Sequence, residues 1–157
     1  MTNFQKVIDF NRVFGSIVNN KIDKDVFTKN PKLVLDRLKL IREEAKELED
    51  AVEQQNMKEI IDALTDILYV VYGMGSALGI DLDKSFDIVH KSNMSKVCSS
   101  VKEAELTKES YKNDPRYDSV DYKINGDKYV VYNKSSNKIL KSVNYTPANF
   151  DEMLKDE

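Results

Sequence analysis

Between Glu59 and Ile80 the chain carries only three charged side chains, and all are acids: Glu59, Asp62 and Asp66. On a helix turning about 100° per residue they fall inside an arc of about 60°. The other faces are apolar, with Ile60, Leu64, Ile67 and Val71 on one side and Ile61, Leu68 and Tyr72 on another. A helix hydrophobic nearly all round is expected to be buried, and a buried carboxylate needs compensation. This stretch therefore predicts a core helix whose acids face a cation.

The flanking sequence supplies neighbours for it. Asn30 and Pro31 form a helix start, cap first and proline at the first helical position. That helix is expected to run to about Gln54. Its main apolar stripe is Val34, Leu38, Ile41, Ala45, Leu48 and Val52; a narrower one holds Leu33, Leu40 and Ala51 together with Glu44 and Glu47. The short Gln54-Gln55-Asn56 link makes this helix and the acid-bearing one antiparallel neighbours. Asn56 and Glu59 read as a capping pair, Gly79 as a stop, and Asp81 or Asp83 as the cap of a further helix to about Val97. Phe4, Val7, Ile8, Val13 and Phe14 mark a first amphipathic helix, followed by a loop over residues 15–29.

The expected fold is mainly α: an antiparallel four-helix bundle-like domain over residues 1–98, with a small C-terminal antiparallel β-appendage. Residues 99–119 read as an irregular connector. Residues 120–157 read as a small tail of up to three strands, 120–124, 128–132 and 139–143, with a tight turn at Asn125-Gly126. Gly73 and Gly75 weaken a helix interior; they are expected to admit the close approach of another helix, whether of this chain or of a second subunit.

Composition narrows the setting. A net charge of −3 leaves no basic excess for a nucleic-acid backbone. One cysteine, Cys98, excludes an intrachain disulfide and fits a reducing compartment. The first residues lack the pattern of a secretory signal, and Asp66, Gly73 and Gly75 make the apolar run a poor membrane span. The expectation is a cytoplasmic protein with no membrane or nucleic-acid partner.

Glu44 and Glu47 on one helix and Glu59 and Asp62 on the next are placed to face each other across the pair. An all-oxygen set on rigid helices suits a hard divalent ion, Mg²⁺ or Mn²⁺, rather than zinc. A Glu pair at helical spacing is ordinarily a solvated face, and Glu59 alone is a capping residue. Asp62 and Asp66, however, lie among almost no other polar residues, which favours the metal. A di-iron bundle needs Glu-x-x-His from two helices, and His90 is the one histidine.

Three segments carry a resemblance. They are Arg42-Glu43-Glu44-Ala45-Lys46-Glu47-Leu48, the run from Glu59 to Gly73, and Val89-His90-Lys91-Ser92-Asn93-Met94-Ser95-Lys96. Together they resemble the all-α nucleoside triphosphate pyrophosphohydrolases, the MazG-type and phosphoribosyl-ATP pyrophosphohydrolase-like enzymes, over roughly residues 1–98. The resemblance implies hydrolysis of a nucleoside triphosphate between its α- and β-phosphates. It implies Mg²⁺, with Mn²⁺ as a substitute, on Glu44, Glu47, Glu59 and Asp62, with Asp66 as a further ligand or a support. Glu43 or Glu44 would take a proton from water. Lys91 and Lys96 would hold phosphate oxygens and the leaving pyrophosphate, and Asn93 would read base or sugar. Asn93 and Lys96 also suit a plain helix end. Tyr69 would stack on a base or simply pack, and Phe10 and Phe14 would wall the pocket. The resemblance also implies a homodimer or dimer of dimers. The competing reading is a non-enzymatic helical oligomerisation module with the acid-bearing helix as its seam.

Overall fold

A computed structural model of the chain describes residues 1–155. Six α-helices are followed by a two-stranded antiparallel sheet and a short 3₁₀ turn. The helices are α1 Asn3–Val13, α2 Val26–Lys29, α3 Pro31–Glu53, α4 Met57–Leu78, α5 Leu82–Met94 and α6 Val101–Ser110; the strands are β1 Val120–Asn125 and β2 Lys128–Asn133. Two compact units divide inside α5: Met1–Ser85 together with residues 153–155, and Phe86–Glu152.

In the first unit the helix ends are set by local chemistry. Thr2 and Gln5 form a reciprocal capping box on α1, and the Thr2 hydroxyl also donates to Asp83 (2.6 Å). Asn30 and Asn56 cap α3 and α4 by accepting from the backbone N–H of Leu33 (3.2 Å) and Glu59 (3.3 Å). Gly79 ends α4 at φ 72°, where a Cβ would lie 1.8 Å from the Lys21 carbonyl oxygen. The loop after α1 takes up the carbonyls left at the end of α4: Asn19 donates its backbone N–H to Ser76 and its amide to Ala77.

Aromatic pairs run α1 along α4, Phe4 against Tyr72 (5.8 Å) and Phe10 against Tyr69 (5.4 Å, edge-on). Burial in α4 is confined to Ala63 and to Gly73 and the Gly75–Leu78 run. This corrects the expectation of a helix buried all round. Ile61, Leu64 and Leu68 are 61%, 49% and 54% exposed, because α1 and α3 cover only one flank. By length and composition α4 is the one helix among the described residues long and apolar enough to cross a membrane. Gly73 and Gly75 do admit the close approach of other helices, and those helices belong to this chain. A Cβ at Gly73 would meet Arg37 and one at Gly75 would meet Leu82, both in this chain, so neither glycine requires a second subunit.

The second unit is built on Cys98, Ala104, Val131 and Leu140, with Tyr111, Tyr117, Val120, Tyr122 and Tyr129 around them. The strands pair with Tyr122 opposite Val131, and Gly126 (φ 63°) takes the first central position of the connecting turn. Residues 99–119 are not irregular as expected: Ser100 caps α6, whose buried face is Ala104 and Thr107. The third strand is also corrected, to a single bridge between Tyr132 and Ile139. Beyond it the side chains of α6 capture the chain. Thr107 accepts from the Val143 backbone (3.1 Å) and Glu103 from the Ser142 hydroxyl (2.7 Å).

Candidate active site

The register of α3 against α4 places the acids. Arg37 Nη1 lies 3.1 Å from the position of a Cβ on Gly73. Seven residues further along α3, Glu44 feels the charge of Asp66, seven residues earlier on α4. Opposed positions thus rise on one helix as they fall on the other, which is an antiparallel seam with a two-turn repeat.

Glu44 is the centre of this seam. Its Oε2 is buried with no hydrogen-bond partner among the described residues. Burial raises its pKa above the ordinary carboxylate value, and the charges of Glu47, Asp66, Glu43 and Asp62 raise it further, in that order. Acids from both helices therefore act on one half-buried oxygen pair. The flanking acids are more open: Glu43, Glu47, Glu59 and Asp62 are exposed and Asp66 is half-buried. Glu43 pairs with Lys39 (3.6 Å), and the Glu59 N–H donates to Asn56 in the first turn of α4.

No three His, Cys, Asp or Glu side chains among the described residues stand as a closed metal-ligating group. The donor set nonetheless fits a hard divalent cation. All its atoms are carboxylate oxygens, and an orphaned buried carboxylate crowded by like charge is the situation a cation relieves. Glu59, in the first turn of α4, is joined to Glu44 by no contact among the described residues.

Tyr69 follows Asp66 by one turn, in edge-on contact with Phe10, which in turn lies 4.4 Å from Phe14. All three rings keep exposed surface, so they form an open aromatic shelf beside the acids. Lys91, Asn93 and Lys96 belong to the second unit. There Lys96 Nζ donates to Asn93 Oδ1 (2.8 Å), so the acceptor of the Asn93 amide is already engaged. Lys91 and His90 are exposed near the end of α5.

Two polar residues that the sequence did not single out complete the first unit's interior. Asn11 is 3% exposed and Ser76 1%, and neither Asn11 Nδ2 nor Ser76 Oγ has a partner among the described residues. Arg37 was not singled out either; it precedes Glu44 by seven residues and so shares its line on α3.

The phosphoribosyl-ATP pyrophosphohydrolase family matches residues 7–93, a span that includes all of α3 and α4. The chain belongs to this family of MazG-like, all-α nucleoside triphosphate pyrophosphohydrolases. Lys96 and the whole β-appendage lie beyond the match. An uncharacterized protein of Acanthamoeba polyphaga mimivirus is 33% identical over an alignment of 241 residues, covering 98% of this chain and 96% of that relative.

Proposed function

We propose that the protein hydrolyses a (deoxy)nucleoside triphosphate between the α- and β-phosphates, giving the monophosphate and pyrophosphate. The family implies a pyrophosphohydrolase acting on nucleotides; the single observation that carries the finer reading is the half-buried Glu44 carboxylate, one oxygen of it buried and unpartnered among the described residues, with four other acids around it. Glu44, Glu47, Glu59 and Asp62 would hold Mg²⁺ or Mn²⁺, with Asp66 beside them. When bound, the ion neutralises phosphate oxygens and acidifies water. Glu43 or Glu44 accepts a proton from the attacking water. Lys91 and Lys96 are assigned to phosphate oxygens by family resemblance alone. Asn93, with its acceptor held by Lys96, keeps its amide N–H donors for base or sugar. Tyr69, Phe10 and Phe14 offer a base a stacking surface.

We also infer a homodimer in which a second copy covers Ile61, Leu64 and Leu68, a stripe at helical spacing along α4. That stripe is equally what a non-enzymatic oligomerisation module would present, but such a module gives Glu44 nothing to do. A screen of the common NTPs and dNTPs with Mg²⁺, reading pyrophosphate release, separates the two. The enzyme releases pyrophosphate and loses the activity in Glu47→Gln and Asp62→Asn while keeping its helical signal. Silence on every nucleotide would leave the module.

A further inference from the structure

We propose that Arg37 and Asn11 form a donor-only subsite that takes the acceptor edge of a nucleobase, so that the protein prefers bases presenting a keto oxygen. The inference rests on the triphosphate reading above and adds to it the chemistry of the base.

The geometry starts at Gly73. The point where its Cβ would sit lies 3.1 Å from Arg37 Nη1 and 3.9 Å from Asn11 Nδ2. Two donors from two different helices, α3 and α1, therefore lie beside Gly73, one of the two positions where α4 has no side chain. The guanidinium and the amide nitrogen donate and cannot accept. Asn11 Nδ2 is buried and unpaired, and no acid among the described residues pairs with Arg37. Donors left beside one gap without an acceptor are a poor structural device and a good half of a binding site.

Position makes that site part of the nucleotide groove. Asp66, Tyr69 and Gly73 follow one another at steps of three and four residues, hence along one face of α4. On α3, Glu44 and Arg37 are seven residues apart, a rise of about 10.5 Å. A ligand whose phosphates lie at the acids and whose base lies on Tyr69 would bring the far edge of that base to Arg37 and Asn11. Phe10, in contact with Tyr69, is the chain neighbour of Asn11, so stacking surface and donor are fixed by the same turn of α1. Guanine offers O6 and N7 as acceptors there, and thymine or uracil offers O4; adenine and cytosine put an amino group in the corresponding place.

The test uses the full chain and two readouts: steady-state pyrophosphate release from dGTP, dTTP, dUTP, dCTP and dATP with Mg²⁺, and calorimetric binding of the corresponding monophosphates without metal. Keto bases are expected to be favoured about tenfold or more over amino bases. Arg37→Ala should erase that preference through KM, with kcat changed less than about twofold. Gly73→Ala should do the same by pushing the guanidinium aside. Asn11→Asp replaces a donor by an acceptor and should swing the preference toward cytosine or adenine; if it fails to fold, Arg37→Ala and Gly73→Ala decide. Wild-type turnover with a base preference unmoved by Arg37→Ala, or a wild-type preference for amino bases, would overturn the subsite and leave the pyrophosphohydrolase reading intact. No turnover at all would overturn that reading. In that event the calorimetric arm still decides the subsite, by whether Arg37→Ala weakens keto-base monophosphates selectively.

Discussion

Glu44 on α3 and Asp66 on α4 share one patch of the helix seam: burial first, then the charge of Glu47 and then that of Asp66, holds the Glu44 carboxyl above its ordinary pKa. Among the described residues neither acid has a basic partner to offset this, so without a cation the pair works against the fold.

Removing one charge should therefore stabilise the metal-free protein. Glu44→Gln is expected to gain about 1 kcal/mol, a rise of a few degrees in Tm. The same substitution should abolish the Tm increase that Mg²⁺ gives the wild type. Thermal melts with and without 10-fold steps of Mg²⁺ measure both. A Glu44→Gln protein that melts lower and still responds to Mg²⁺ would mark Glu44 as a purely structural acid.

Gly79 closes α4 in the left-handed region against the Lys21 carbonyl. An alanine there meets both the left-handed penalty of about 1–2 kcal/mol and a backbone collision. Gly79→Ala should lose at least about 2 kcal/mol in urea unfolding. Gly15→Ala, with φ 71° but open surroundings, isolates the conformational part and should lose distinctly less.

Acid should loosen the second unit through Glu103. The Ser142 hydroxyl, opposed by burial and aided by the Ser99 hydroxyl and N–H, holds its carboxyl down at about 2, from an ordinary 4.5. The folded value is the lower one, so the stabilisation is complete above about pH 4.5 and is lost as pH falls through 2. Glu103→Gln should melt below the wild type at pH 7, and the gap should close as the pH is lowered toward 2. A gap independent of pH would assign the loss to packing instead.

Charging the open stripe of α4 probes the dimer. Ile61→Glu with Leu68→Glu should convert the wild-type dimer to a monomer in light scattering, with the helical signal kept. A wild type that is already monomeric at 100-fold the assay concentration would remove the second copy from the account.

The parts of the fold written in local chemistry were readable in the chain. Asn30 and Asn56 announce the starts of α3 and α4, and Gly79 the end of α4, because caps are made by one side chain or one left-handed residue. α6 was not readable: its buried face is Ala104 and Thr107, two small residues in a charged run, too little for a periodic signal. The third strand failed for another reason, since Thr107 and Glu103 intercept the segment after Leu140 before a ladder can extend. For α4, an apolar pattern states that a face needs covering and is silent on whether this chain or another covers it. At the site, Glu44, Glu47, Asp62 and Asp66 were legible as acids on apolar helices. Arg37 and Asn11 were not, because their meaning depends on Gly73 standing opposite, which only the packed register supplies.

Which phosphoanhydride bond is cut decides whether the protein is a pyrophosphohydrolase. Phosphorus NMR of a dNTP mixture incubated with the protein and Mg²⁺ should show monophosphate and pyrophosphate growing in equal amounts, and neither in Glu47→Gln or Asp62→Asn. Diphosphate with inorganic phosphate, or an unchanged triphosphate spectrum for every nucleotide, would contradict the account.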